Sequence, residues 1–392
     1  MNTEPVPGEP PQSGRFLALY ALAWAGGSAA YIPILTVLLP ARVAEFAGAS
    51  AVTWLAAIAF CGAVAASLAN ILAGLLSDVA RRRRWPALAG LAGYALLTPL
   101  FAVAETLPQF LVLIAAWQSA LNLLLAPLAA WAADSVPDRQ KGLLGGLLAF
   151  APATGAAAGA LATLPLLTAL EARLTVVVGL VACAVLPVVL FGHPRAIPAL
   201  EAEDDRSGAP RKHGAAARMW LARLLVQISE ATLFAYLYLW LRGLDSGFDQ
   251  AEVARLFLVM LALGIPVSLA VGRWSDRHGE PIGPLRAGAG IAAAGLAAMA
   301  LAQTTELALL GYAAFTLATA VFLSLHSAQV LRVLPKRSRR GRDLGIFNLT
   351  NTMPSLIMPA LTIALVPQLG FSGLFGVLAA LALLAPFVLP RG

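Results

Sequence analysis

Glu230 is the one acid in this chain that falls near the middle of a long apolar run. Gln227 stands one helical turn before it and Arg223 one turn before that, so on a helix the three share a face. An ionisable group at that depth is costly and by default functional. Three uses are open to it: carrying a proton, binding a cationic solute, or pairing with an arginine. Proton coupling is the reading adopted here, because a change in access to water can load or unload a carboxyl group. His326, three residues before Gln329 and near one end of another apolar run, is the second proton candidate.

Other polar and aromatic residues recur at helical spacing. Tyr20, Trp24, Ser28 and Tyr31 follow one another at steps of four, four and three. Gln118 and Asn122 are four apart beside Trp117, and Asn348 and Asn351 are three apart in a later run. An aromatic stripe serves packing or solute contact. An amide buried in hydrocarbon must find a hydrogen-bond partner, either a neighbouring helix or a bound solute. Enzyme chemistry has no such foothold. The chain lacks a G-x-x-x-x-G-K-[ST] loop, an H-E-x-x-H or G-x-S-x-G motif and any Cys/His cluster. Cys61 and Cys183 lie inside apolar runs and are expected to serve as small apolar residues. No metal, cofactor or nucleic acid is expected, and the chain is not expected to be an enzyme.

The elements that position these residues follow from composition. Charged residues make up 12% of the chain and apolar ones 59%, with a mean hydropathy of +0.80. Soluble domains carry about 25% charge, so this chain is built for a bilayer. Runs long enough to cross about 30 Å of hydrocarbon cover 16–40, 51–76, 85–104, 110–133, 142–167 and 175–192. After the polar stretch 194–218, six more cover 219–241, 253–271, 285–302, 307–331, 344–367 and 371–390. The polar opening 1–14 lacks the basic start of a cleaved leader and is expected to be a disordered tail. With about twelve spans, every Lys and Arg except Arg42, Arg173, Arg242 and Arg255 falls on the side of both termini. Basic residues translocate poorly, so that side is cytoplasmic, and the net charge of +7 reports topology.

The two halves repeat. Gly74, Ser77 and Asp78 close the second run, and Gly272, Ser275 and Asp276 close the eighth, 198 positions later. Arginines 81–84 follow the first copy, while Arg277 and Gly279 follow the second, before Glu280 and Pro281. This pattern resembles the loop of the major facilitator superfamily along the whole chain, with Arg81 where that family usually has Gly. The resemblance implies an all-α membrane protein of twelve transmembrane helices in two six-helix bundles, 15–193 and 219–392, joined by a cytoplasmic linker at 194–218.

It further implies a conformational latch at Gly74, Asp78, Arg81, Arg82, Gly272, Asp276 and Arg277. It also implies a cavity lined by the first, fourth, seventh and tenth helices, with Tyr20, Trp24, Ser28, Tyr31, Trp117, Gln118, Asn122, Gln227 and Gln329 as its expected solute contacts, and Asn348 and Asn351 of the eleventh are counted with them. The implied activity is secondary transport of a small polar organic solute by alternating access in the inner or plasma membrane. Protons and the lipid bilayer are the other expected partners, and a monomer is the expected state. Two local patterns leave the direction open. Gly341, Asp343, Gly345 and Asn348 with Pro354 resemble the sugar–proton symporter branch. Ala151, Pro152, Gly155 and Ala156 are similar to an element of drug–proton antiporters, which export amphipathic compounds.

Overall fold

The computed structural model describes residues 12–79, 84–136, 140, 143–144, 147–148, 150–193, 213–280, 282–333 and 340–390. Among them there is no strand. In hydrocarbon a backbone must satisfy its own N–H and C=O groups, and a helix does this within one segment. The helices are α1 Gly14–Pro33, α2 Leu39–Ala47, α3 Ala51–Val79, α4 Arg84–Leu97, α5 Leu107–Ser135, α6 Ala151–Ala162 and α7 Leu170–Phe191. They continue with α8 His213–Leu244, α9 Gln250–His278, α10 Gly283–Leu301, α11 Thr305–Val333 and α12 Arg340–Val388.

Nine described stretches are long and apolar enough to cross a membrane. One of them, Gly14–Ala73, is 60 residues long, or about 90 Å of helix, which is far too long for one crossing. It turns at Gly48, whose φ of 51° suits glycine alone. α12 breaks in the same way at Gly370, with φ 66° and ψ −173°. That break falls between the apolar runs 344–367 and 371–390. The fifth run is described chiefly at Ala151–Ala162. The fold is the all-helical membrane class that the sequence implies.

Two boundaries differ from the sequence reading. Gln12, inside the expected tail, is buried, and its side chain donates to the Ser135 carbonyl at 2.6 Å. Ser13 then caps α1 by accepting from the Phe16 N–H at 3.2 Å. At the linker, α8 begins at His213. Arg218, expected in the loop, reaches the carbonyls of Val388 and Leu389 at 2.8 and 3.3 Å, satisfying the orphan acceptors that end α12.

The chain packs as two compact units. One comprises Met1–Ile34, Ala65–Ala104 and Val112–Glu203; the other comprises Leu35–Val64, Glu105–Leu111 and Asp204–Gly392. The division passes through the first span at a short π-helix, Ile34–Leu38, which follows Pro33. Beyond it, Val37 and Ala41 join the core of the second unit with Leu237, Trp240 and Phe375.

Inside each unit the helices make corresponding contacts, at or close to the offset of the paired loops. A side chain on Gly90 of α4 would strike the backbone of Leu124 in α5. Gly288 of α10 faces Phe322 of α11 in the same relation, and there a methyl group would stand 3.3 Å from the nearest backbone atom, the Ala318 oxygen. Arg84 donates to the Gly192 carbonyl that ends α7, and Arg286 donates to the Pro390 carbonyl after α12 at 3.0 Å. The Tyr20 hydroxyl donates to the Leu128 carbonyl at 3.0 Å, tying α1 to α5. His326 Nε2 pairs with the Met219 carbonyl at 2.8 Å, tying α11 to α8 at the corresponding crossing.

Candidate functional site

α8 has two faces. Met219, Ala222, Val226, Ser229 and Leu233 are buried against the rest of the second unit. Arg223, Gln227 and Glu230, at the intervening positions, are each half-buried. A polar stripe left partly open in mid-span has no place against lipid, so it lines a water-accessible surface. The stripe is internally bonded. Arg223 Nε donates to Gln227 Oε1 at 3.0 Å, and the Gln227 amide donates to the Glu230 carboxyl. Arg223 also lies within electrostatic reach of Glu230. From the neighbouring α11, Ser327 Oγ accepts from Arg223 Nη1 at 2.9 Å while donating to the Leu323 carbonyl at 2.8 Å. Ser324, one turn earlier on α11, is exposed like Ser327.

This geometry gives the polar residues of α11 a different division from the one read in the sequence. His326 and Gln329, the expected pair, are both buried. His326 Nε2 donates its proton to Met219, and the ring lies 5.5 Å from that of Phe322. Ser324 and Ser327 occupy the open face and were missed. Their three-residue spacing was the available signal, but serine in an apolar helix commonly bonds only its own preceding turn.

In the first unit, Trp24 and Tyr31 on α1 and Gln118 and Asn122 on α5 remain partly open. Asn122 donates to the Gln118 carbonyl at 2.9 Å and accepts from Asn70 of α3 at 3.1 Å. Asn70, an exposed amide inside the second run, is another residue the sequence reading passed over. Three expected contacts go to packing. Tyr20 is buried, bonded to Leu128 and stacked on Trp24 with centroids 6.2 Å apart. Ser28 is buried where Gly155 of α6 approaches its backbone so closely that a methyl group would lie 2.9 Å from it. Trp117 is fully buried, donates to Thr98 Oγ1 at 3.0 Å and meets Phe101 edge-on.

For the latch, Arg81 and Arg82 lie outside the described residues, as do the side chains of Asp78, Asp276, Asn348 and Asn351 and the surroundings of Gly74. Gly272 is not forced by sterics, since a methyl group there would meet Leu325 at an ordinary 3.9 Å. Arg277 is exposed at the end of α9, before Gly279 closes that helix with φ 64°.

Comparison with known proteins bears on this arrangement. The family model described as "Major Facilitator Superfamily" matches residues 16–317 and again 219–391. No curated protein matches the chain in sequence. Among solved structures it is similar to a POT family transporter in complex with a thioalcohol-conjugated peptide, at 13% identity and a TM-score of 0.72. That match covers 96% of this chain and 97% of the other. It is also similar to the nucleoside transporter NupG, at 13% identity and a TM-score of 0.70, covering 95% and 98%. The human organic anion transporter MFSD10 (TETRAN) matches at 15% identity and a TM-score of 0.64, covering 96% and 99%. At these identities the likeness is one of fold.

Proposed function

From the membership of this chain in the major facilitator superfamily, we propose that it carries a small polar organic solute across the inner or plasma membrane by alternating access and takes a proton with it. One observation carries the proton coupling. Glu230 is the mid-span acid, it is half-buried on the polar face of α8, and the Gln227 side chain bonds its carboxyl. A group so placed exchanges a proton when its surface is wet and keeps its charge state when that surface closes. Arg223 supplies the positive charge that compensates the ionised form. Beside this stripe the exposed hydroxyls of Ser324 and Ser327 on α11 offer directional contacts of the kind a polar solute needs. His326 serves here as a tie between α8 and α11.

Glu230→Gln keeps the shape of the protonated acid and removes its titration. In proteoliposomes the variant is expected to lose uptake driven by a pH gradient while still exchanging labelled for unlabelled solute. Gradient-driven uptake at the wild-type level removes Glu230 from this role.

A further inference from the structure

One face of α9 is open from mid-span to the end of the helix. Val259, Leu263, Pro266 and Ala270 are exposed, and so are Arg273, Trp274, Arg277 and His278. Steps of three and four place them on one side of the helix, while Ser275, on the opposite side of the last turns, is buried. The face changes character along its length. It is apolar down to Ala270 and then carries two arginines, an indole and an imidazole. An apolar stripe left open on a membrane-spanning helix suits acyl chains, which are as apolar as leucine.

The polar end of the face is locally organised. Trp274 is 47% exposed and lies stacked on His278, with ring centroids 4.6 Å apart and planes 28° from parallel. His278 Nδ1 stands 2.8 Å from the Trp274 carbonyl oxygen. A carbonyl only accepts, so Nδ1 carries the hydrogen and the ring is held against the indole. Arg277 and His278 stand in the last turn, where a cation complements the helix dipole. Arg273 lies a turn earlier, and the dipole gives no account of it. The preference for basic residues in loops between spans does not account for it either, since Arg273 stands on the helix wall directly below the apolar stripe. Glu280, just beyond the helix, turns its carboxylate toward α10, where a methyl group on Gly283 would stand 3.3 Å from its Oε2.

We propose that this face of α9 binds an anionic phospholipid, whose phosphate docks on Arg273 and Arg277 and whose acyl chains lie along Val259, Leu263 and Ala270. An indole has an apolar body and a single N–H, and it settles where head groups meet hydrocarbon. That sets the level of Trp274. Arg273 is its neighbour in sequence and Arg277 lies one turn further out, so both reach the phosphate level. A guanidinium offers a planar fork that fits phosphate oxygens through two parallel hydrogen bonds. A free anion would meet the same arginines but would leave the stripe and the indole without a use. The stripe therefore commits the site to a lipid. By the distribution of basic residues this end of the helix faces the cytoplasmic leaflet, which is the one that holds anionic lipid.

The test reads lipid at this face directly. The full-length protein with Cys61→Ala and Cys183→Ala carries a single bimane-labelled cysteine through Ala270→Cys and is reconstituted in phosphatidylcholine vesicles. Quenching of the label by phosphatidylglycerol with brominated acyl chains is compared with quenching by brominated phosphatidylcholine, which gives the relative occupancy of the two lipids at that position. Phosphatidylglycerol is expected to be preferred at least about threefold. The same label at Ile291, exposed on α10, is expected to show no preference. Arg273→Gln with Arg277→Gln is expected to bring the ratio at position 270 to about one, and Arg273→Gln alone to lower it by about half. Arg273→Lys with Arg277→Lys is expected to keep most of the preference, which separates loss of charge from loss of packing. Equal occupancy by the two lipids at position 270 overturns the proposal. So does a preference that survives the paired Gln changes, or one that is as large at position 291.

Discussion

His326 and Tyr20 close the same crossing in the two halves of the chain, each with a side chain that serves a backbone carbonyl. The Met219 carbonyl keeps its helical donor when the His326 bond is removed, and side-chain hydrogen bonds within membranes average about 0.6 kcal/mol, to which the lost packing of the ring against Phe322 adds. His326→Ala is therefore expected to lower the melting temperature by a few degrees, with His326→Gln recovering part of the loss. Neither is expected to move the pH profile of transport. A displaced profile in His326→Gln would reassign the residue to proton chemistry. At this scale the sequence placed Glu230, Gln227 and Arg223 on one face, because their spacing leaves a helix no other choice. It could not place Trp117, because an indole in an apolar run reads alike whether it faces solute or packs, as this one does, on Thr98 and Phe101.

The helices pack through small residues, as membrane helices must when lipid and neighbour are equally apolar. Gly90 and Gly288 occupy equivalent places, but the approach is much closer at Gly90, where a methyl group would overlap the Leu124 backbone. At Gly288 the nearest backbone atom would be 3.3 Å away. Overpacking costs about 1–3 kcal/mol where neighbours can give way, and more where they are backbone. Gly90→Ala should consequently lower the thermal midpoint more than Gly288→Ala, as measured by unfolding in detergent; equal losses or the reverse order would contradict the packing described. Spans were readable because length and hydropathy suffice to find them. Their rotation was not. On α11, hydropathy does not separate the buried His326 and Gln329 from the open Ser324 and Ser327, and Asn70 gains its meaning from Asn122 across the helix pair.

For the whole molecule, the paired loops at Asp78 and Asp276 made the repeat legible; the contact at Gly90 recurs at the same offset, and those at Arg84 and Tyr20 have counterparts within a turn of it. The passage of Leu35–Val64 into the second unit was not legible, since it depends on Val37 and Ala41 meeting Leu237 and Trp240 far along the chain. The charge distribution predicts that cysteines introduced at Ser207 and Ser246 are labelled from opposite sides, the first only from the cytoplasm. Labelling of both from outside would overturn that orientation. The central claim, that solute and proton share one carrier through Glu230, is tested most directly by comparing net accumulation with exchange in reconstituted Glu230→Gln. Exchange near the wild-type rate with no accumulation on a pH gradient is the predicted result. Accumulation at the wild-type level would contradict the claim, and loss of both activities would move Glu230 from proton carrier to solute contact.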